Sequence, residues 1–433
     1  MKGNWFNNFF QFEQNETTAK REIFAGVIGF FTIVYIIAVN SLILSEAGIP
    51  LEAAIVATIV SSVVGCLLMG FWANVPILLV PGMGINALFS YTFVQSMGMS
   101  WQEALAVVFV SGLIFMVIAF SRFSTVLSNS IPQSLKEAVT VGLGLFLMLI
   151  GLEKGGIVVK GTNSIISLGD LGEPQVIATI LTFLIAIFLF IRNTPGNFLI
   201  TVIVGTFIAW LFGLIDFQQT QGETFSLSDY MGVFGAMSFD HVLSFTFWTA
   251  VFSLTMVLVF ENIGLVSGQV SFINRLDKFA RAFQVNSISS MLSGLFGTSP
   301  TVSAVESTAS MAAGGRTGLT AVTTGLLFLL TAFCIPIIKL IPNSAIAPIL
   351  IIIGGLMLQN IRHLNLEDLS ESFPAIFIIA MIPFTYSIAD GIAAGFILYP
   401  ILKIAIGKAK EITLPMYVIA GLFLFNFVFQ VIN

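Results

Sequence analysis

Apolar runs of about twenty residues follow one another along almost the whole chain, each closed by a cluster of Gly, Pro, Asn or charged residues. A hydrocarbon core about 30 Å thick takes roughly 20 helical residues per crossing. Cutting the chain at the clusters predicts fourteen spans: 22–45, 51–70, 77–97, 101–121, 133–152, 174–192, 196–215, 243–266, 279–297, 300–314, 317–340, 344–360, 373–388 and 389–407. A further apolar run, Leu414 to Ile432, either crosses once more or lies along the interface. The polar stretch 1–21 ends in Lys20-Arg21, and the run behind it exceeds the core of a signal peptide, so a first membrane helix is expected rather than a cleaved leader. Within that stretch Trp5, Phe6, Phe9 and Phe10 share one helical face, which suits either a segment lying in the headgroup region or a disordered tail.

The count can be tested by charge, because Lys and Arg stay on the cytoplasmic side. With the N-terminus inside, Lys2, Lys20, Arg21, Arg122, Lys136, Arg192, Arg275, Lys278, Arg281, Arg316, Arg362, Lys403, Lys408 and Lys410 are all cytoplasmic. Only Lys154, Lys160 and Lys339 fall outside. A missing or extra helix in the middle would scramble this partition.

Composition agrees with a bilayer as the main solvent: of 433 residues 57% are apolar and 9% charged, with 43 Phe and a mean hydropathy of +1.01. Seventeen basic against 22 acidic residues, with no basic block, exclude a nucleic-acid partner. Cys66 and Cys334 sit in apolar runs, and His241 and His363 border them. No disulfide framework, metal cluster, Ser/His/Asp set or HExxH helix can be built from these, so neither a metal, a cofactor nor an enzyme is expected. A nucleotide-binding GxxxxGK[ST] loop is absent too, which leaves a gradient as the energy source.

The halves resemble each other. Ile131-Pro132-x-Ser134 returns as Ile341-Pro342-x-Ser344, an offset of 341 − 131 = 210, and Ser61-Ser62 returns as Ser289-Ser290, an offset of 289 − 61 = 228. Either two seven-span units are duplicated, the odd number inverting the second copy, or apolar runs match by chance. The third span of each unit is irregular. One opens with Pro76-Ile77-Leu78-Leu79-Val80-Pro81-Gly82-Met83-Gly84, which disfavours helix before Ile85. The other opens with Gly297-Thr298-Ser299-Pro300-Thr301 and becomes a good helix former only near Ser303. Both predict a short extended stub feeding a half-helix, tolerable at membrane depth only when buried in protein or lining a cavity, with free N–H groups at the half-helix start.

Acids inside a span are functional candidates. Glu261 lies deep in the eighth span and Glu306 just past the Pro300 break, although pairing with a neighbour or protonation for packing would also explain them. Asn86 offers an amide to the same region or caps the half-helix. Glu46, Glu52, Glu103, Asp240 and Asp390 fall at helix ends, where solvation accounts for them. Gly26, Gly29, Gly142, Gly144, Gly354 and Gly355 are expected as packing notches. Carboxylates, an amide and backbone groups of two stubs suit a flat heterocycle, and a carboxylate can carry a proton. Tyr35 and Phe89 either stack on that ring or face lipid.

Four stretches together carry a resemblance: FFTIVYIIAVNSLIL, PGMGINALFSY, GTSPTVSAVESTASMAAGGRTGLTAV and SIADGIAAGFILYP. They resemble the azaguanine-resistance-type purine permeases of the nucleobase/ascorbate transporter superfamily. The resemblance implies the uracil-permease fold, an all-α polytopic membrane protein with 14 transmembrane helices as a 7+7 inverted repeat. Its core domain would take 22–121 and 243–340, its gate domain 133–215 and 344–407, with 1–21 as a cytoplasmic N-terminal segment and 413–433 as an extra apolar segment. It also implies uptake of purines such as hypoxanthine, guanine or adenine by proton symport with alternating access. The implied site is Glu306, Glu261 and Asn86, flanked by Ile85, Val305, Ser307, Tyr35 and Phe89, with Glu261 coupling the proton. One departure is that two family aspartates of the eighth span stand here as Leu258 and Glu261, which leaves the purine and the coupling ion open. A passive channel or anion transporter on the same fold, and a permease for uracil or xanthine, are the alternatives; buried acids repel anions. Expected partners are the nucleobase, a proton or other cation, the lipid of a plasma or inner cell membrane, and a second copy in a homodimer.

Overall fold

The computed structural model describes residues 5–121, 131–161, 166–215 and 230–432, so Lys2 and Arg122 of the charge partition lie outside the described residues. Helix α1 (Trp5–Phe10) precedes α2 (Ala19–Ile33), whose first turn is capped by the Thr18 hydroxyl. The first apolar span is interrupted at Val34-Tyr35 before α3 (Ile36–Glu46). Helix α4 (Leu51–Leu68) ends in a π turn, and the chain then forms strand β1 (Leu79–Pro81), helix α5 (Met83–Ala87) and a π-helical continuation, Leu88–Ser96. Helix α6 (Trp101–Phe120) opens on a capping box in which Ser100 and Glu103 satisfy each other's backbone N–H.

After α6 come α7 (Gln133–Lys154), a hairpin of β2 (Val158–Lys160) and β3 (Ile166–Leu168), α8 (Pro174–Ile191) and α9 (Asn197–Leu211). The second half holds α10 (Phe245–Phe272), α11 (Phe279–Phe296), strand β4 (Thr301–Ser303), α12 (Ser307–Ala312), α13 (Gly318–Leu330) and α14 (Ile335–Ile338). It closes with α15 (Asn343–Leu358), α16 (Leu369–Thr385), α17 (Ile388–Ala405) and α18 (Leu414–Ile432). The last apolar run is therefore a helix. Among the described residues nine helical stretches are long and apolar enough to cross a membrane, and α9, α16 and part of α18 are shorter apolar helices. By this measure the count falls short of fourteen because two spans are broken into strand and half-helix, and α11 carries Asn286 and four serines.

Helices α2 to α6 pack with α10 to α13, while α7, α8 and α9 pack with α15, α16 and α17. The most extensive helix pair is α7 with α15. There Gly144 and Gly354, 354 − 144 = 210 residues apart, lie face to face: each carbonyl stands where a Cβ on the other would go. Gly26, Gly29 and Gly142 are equally tight notches, whereas Gly355 makes only ordinary contact. Below α16, Lys403 is buried among Glu371 (3.2 Å), Glu411 (3.0 Å) and Asp368 (3.9 Å). Asp368 caps α16, and hydrogen bonds from Ser370 with the nearby Lys408 ammonium pull its carboxyl down to about 2.

The two extended stubs pair with each other. β1 and β4 run antiparallel, Leu79 opposite Ser303 and Pro81 opposite Thr301, extended by Ala304 N–H to the Leu78 carbonyl (2.9 Å) and Gly82 N–H to the Pro300 carbonyl (3.2 Å). This pairing explains why helix resumes at Ser307 and not near Ser303, as the sequence had suggested: the backbone is still committed to β1 at Ala304.

Candidate functional site

A two-stranded sheet leaves two unpaired edges, and a backbone group stranded in an apolar interior costs several kcal/mol. Side chains of the surrounding helices close the free edge of β4 and, through the Cys66 thiol on the Leu79 carbonyl (3.5 Å), part of that of β1. On β4, Ser303 N–H donates to Asn262 Oδ1 (3.1 Å), the Ala304 carbonyl accepts from Gln269 Nε2 (2.6 Å), Thr301 N–H donates to Ser293 Oγ (3.0 Å) and the Thr301 carbonyl accepts from Ser290 Oγ (2.6 Å). On the β1 side, Leu78 N–H donates to Ser307 Oγ (3.0 Å). The serines of α11 and the amides of α10 thus stand in for missing strands.

Glu306 sits at the end of this clamped strand, in the N-cap position of α12, half-buried. Its Oε1 accepts a 2.6 Å hydrogen bond from the Tyr35 hydroxyl. Tyr35 occupies the break between α2 and α3, and its ring meets Phe198 of α9 edge-on, with centroids 5.0 Å apart. Glu261 projects from α10 with its Oε2 buried and without a hydrogen-bond partner. Asn86 is fully buried inside α5; its Oδ1 accepts from Ser299, while its Nδ2 has no partner. Capping is not its role, because the N-cap of α5 is Gly82. Ser299 is shared with Asn40, whose Nδ2 donates to Thr58 (2.8 Å) and Thr298 (3.1 Å).

The remaining expected residues divide. Val305 is 59% exposed at the strand end, and Ser307 is buried with its hydroxyl committed to Leu78. Ile85 and Phe89 are fully buried, so neither presents a face to an open cleft in this conformation. Gly264 and Gly268 lie on the same face of α10 as Glu261; both are exposed, and a Cβ on either would meet nothing within 4 Å. Asn262 and Gln269 hold β4 against α10, so this bare strip adjoins the exposed Val305 and Thr308. Asn40, Asn262, Gln269 and Asn286, whose Nδ2 donates to Asn262, were not legible as site residues. The signal was there only as amides at span depth.

The opposite end is shut. Lys154, at the end of α7, pairs with Glu46 at the end of α3, Tyr91 donates to Glu46 (2.8 Å), and Tyr386 donates to Glu153. Tyr386 takes a left-handed conformation (φ 56°) after α16. With Gln95 and Ile150 these groups line a cavity of about 230 Å³. Solvation alone therefore does not account for three of the five acids at helix ends: Glu46 pairs with Lys154, Glu52 with Lys339 and Glu103 with His241. The first two pairs use two of the three lysines that the charge partition places outside.

Residues 20–394 match a family model described as a permease family. The chain belongs to that permease family. It is a multi-pass membrane transporter by family and by its apolar helices, not an enzyme. This permease is 49% identical over 381 residues to the nucleobase transporter PlAzg2 of Paenibacillus larvae subsp. larvae, covering 88% of this chain and 76% of the relative. It is 36% identical over 424 residues to the guanine/hypoxanthine permease PbuO of Bacillus subtilis, covering 96% of this chain and 98% of the relative. These relatives bear out the resemblance read from the four stretches. Among solved structures, the transmembrane domain of the cyanobacterial bicarbonate transporter BicA superposes with a TM-score of 0.66 at 16% identity, covering 87% of this chain and 97% of that one. At that identity the likeness concerns the fold.

Proposed function

We propose that the permease imports a purine nucleobase across the cell membrane by proton symport, with Glu306, Glu261 and Asn86 as the groups that meet the ring. The observation that carries this reading is that, of the buried polar atoms left without a protein partner among the described residues, an acceptor at Glu261 Oε2 and a donor at Asn86 Nδ2 belong to α10 and to the broken-span half-helix α5. They accompany the Glu306 carboxylate at the end of a clamped strand. A purine offers ring N–H donors and N or C=O acceptors in one plane, and unpartnered buried groups of both kinds are what such a ligand satisfies. The names of the relatives, one a nucleobase transporter and one a guanine/hypoxanthine permease, point the same way.

In this reading α2 to α6 with α10 to α13 form the core, and α7 to α9 with α15 to α17 form the gate. The face-to-face glycines 210 residues apart and the antiparallel stubs support two inverted seven-span units and fourteen crossings, the N-terminus lying in the cytoplasm. The shut end near Lys154 and the bare strip below Glu261 fit a state open to the cytoplasm, one half of an alternating-access cycle. Glu261, with no partner for one oxygen, is the carboxyl that takes the coupling proton. Ile85 and Phe89 support the site from behind, Val305 and Ser307 fix its floor, and Tyr35 orients Glu306. Assembly as a homodimer belongs to the same reading.

Uptake of radiolabelled hypoxanthine, guanine and adenine into cells lacking their own permeases tests it, with unlabelled uracil and xanthine as competitors. Uptake of a purine that collapses when the proton gradient is dissipated supports the reading; uptake of none of the three defeats it.

A further inference from the structure

Glu306 is held in place by an amide that is two turns from Glu261 along α10. Gln269 is 3% exposed; its Nε2 donates to the Ala304 carbonyl at 2.6 Å and its Oε1 accepts from Ser303 Oγ at 2.5 Å. Since a carbonyl can only accept, the NH2 face must meet Ala304, and the orientation of the amide is fixed. Between Ala304 and Glu306 stands only Val305, whose exposed side chain anchors nothing. On the far side the next anchor is Ser307, bound to Leu78. The backbone that carries Glu306 is thus held at one end by Gln269, together with the Ala304 N–H bond to Leu78, and at the other by Ser307.

We propose that Gln269 is a positioning residue for substrate: by gripping Ser303 and Ala304 it sets where the Glu306 carboxylate stands relative to Glu261, and thereby sets affinity. The inference rests on the purine reading of the site. Asn262, seven residues earlier on the same helix, grips Ser303 N–H, so α10 holds β4 with one stripe and offers Glu261 from another. Both partners of the clamp belong to the same group of packed helices. Loosening it therefore disturbs the site without touching the seam across which the two groups move, and the effect falls on KM more than on kcat. Leucine at this position fills the volume but makes neither bond; a carboxylate would face the Ala304 carbonyl and repel it.

The test compares Gln269→Leu, Gln269→Glu and Ser303→Ala with wild type in purine uptake, with the amount of folded protein measured by gel filtration. Loss of one or two neutral hydrogen bonds should raise KM about threefold to tenfold in Gln269→Leu, less in Ser303→Ala and most in Gln269→Glu, with kcat within about twofold of wild type. A second readout needs no substrate. In a Cys334→Ser background, which leaves only the buried Cys66, Val305→Cys should react faster with a maleimide when Gln269→Leu is also present. A wild-type KM in folded Gln269→Leu and Ser303→Ala, a loss of uptake that merely tracks loss of folded protein in both, or an unchanged labelling rate overturns the proposal. If the wild-type chain takes up no purine, the substrate reading fails and the labelling rate alone decides the clamp.

Discussion

The two ends of the seam between the helix groups are built from opposite materials. At the Lys154 end an ion pair reaches across, Lys154 to Glu46, braced within one group by Tyr91 on Glu46 and accompanied within the other by Tyr386 on Glu153. At the other end, α10 shows Gly264 and Gly268, with nothing near enough to touch a Cβ, beside exposed Val305 and Thr308. One crossing contact on that side is Lys136 of α7 over the ring of Phe260, 5.5 Å from its centroid. Both lysines of α7 thus face the other group, one near each end of a 22-residue helix. Ion pairs are specific and short-ranged, so they define a closed state and release it completely once parted. A bare helix surface defines nothing by itself and can accept a neighbour or leave room for a solute. The difference suits a machine that latches on one side while it admits on the other.

The comparison would break outright if the sides were reversed. Cysteines placed beside Arg192, Arg275 and Arg362 should resist an impermeant maleimide in intact cells, and one beside Lys160, in the exposed strand β2, should react. Labelling of any of the first three would overturn the orientation and with it the meaning of the latch.

An all-or-none effect is also expected from Glu261→Gln, which mimics the protonated acid permanently. Proteoliposomes carrying this variant should bind or exchange purine but fail to accumulate it under an imposed pH gradient. Accumulation at the wild-type level would mean that another group carries the proton. Glu306→Gln comes next: the amide presents a donor where a carboxylate accepts, and loss of a charge-assisted hydrogen bond, about 1.5 to 3 kcal/mol, lowers affinity about ten- to hundredfold. Calorimetry on folded protein showing wild-type binding would remove Glu306 from the site.

Smaller effects belong to the latch. Glu46 is partly open to solvent while the Lys154 side chain is only 8% exposed, and a pair that water reaches from the carboxylate side contributes about 0.2–1 kcal/mol, a shift of roughly 1.4- to fivefold in the balance between states. Lys154→Ala should therefore raise the reactivity of a cysteine at Gln95 toward an external reagent by a few-fold, and more at low ionic strength. An unchanged rate would mean that the pair is incidental to closure.

Much of this layout can be read from the chain because hydropathy is a one-dimensional signal. Apolar spans, proline-broken stubs and the two acids at depth each stand out against their immediate neighbours, since a carboxyl in an apolar run is costly wherever it points. What escaped reading depends on partners far away in sequence. β1 and β4 pair across more than 200 residues, and nothing local in Leu79-Val80-Pro81 names Thr301. Asn262, Gln269 and Asn286 are amides, cheap enough in a helix interior to pass as packing until the strand they hold is in view. The break at Tyr35 leaves no trace either: it interrupts an apolar run with no Gly or Pro to announce it, yet it aims the phenol at Glu306. From the sequence, Glu46 and Glu52 look merely solvated, because their partners, Lys154 and Lys339, lie 108 and 287 residues away.

The smallest expected change concerns the bare strip itself. Alanine at Gly264 or Gly268 adds a methyl group where the structure holds open space, and in a helix interior alanine is favoured over glycine by about 0.5–1 kcal/mol. Neither residue takes a positive φ, so neither substitution strains the backbone. If this state were the whole of the protein's life, both variants would be slightly more stable and otherwise silent. If the strip is where the other helix group comes to rest when the cytoplasmic side closes, the added methyl is in the way only then. Thermal stability should hold or rise slightly while the maximal rate of purine exchange falls, the larger loss belonging to Gly264, one turn from Glu261. Faster or unchanged exchange in both variants would mean that the strip is not a surface the cycle uses, and closure would have to be sought around Lys136 and Phe260 instead.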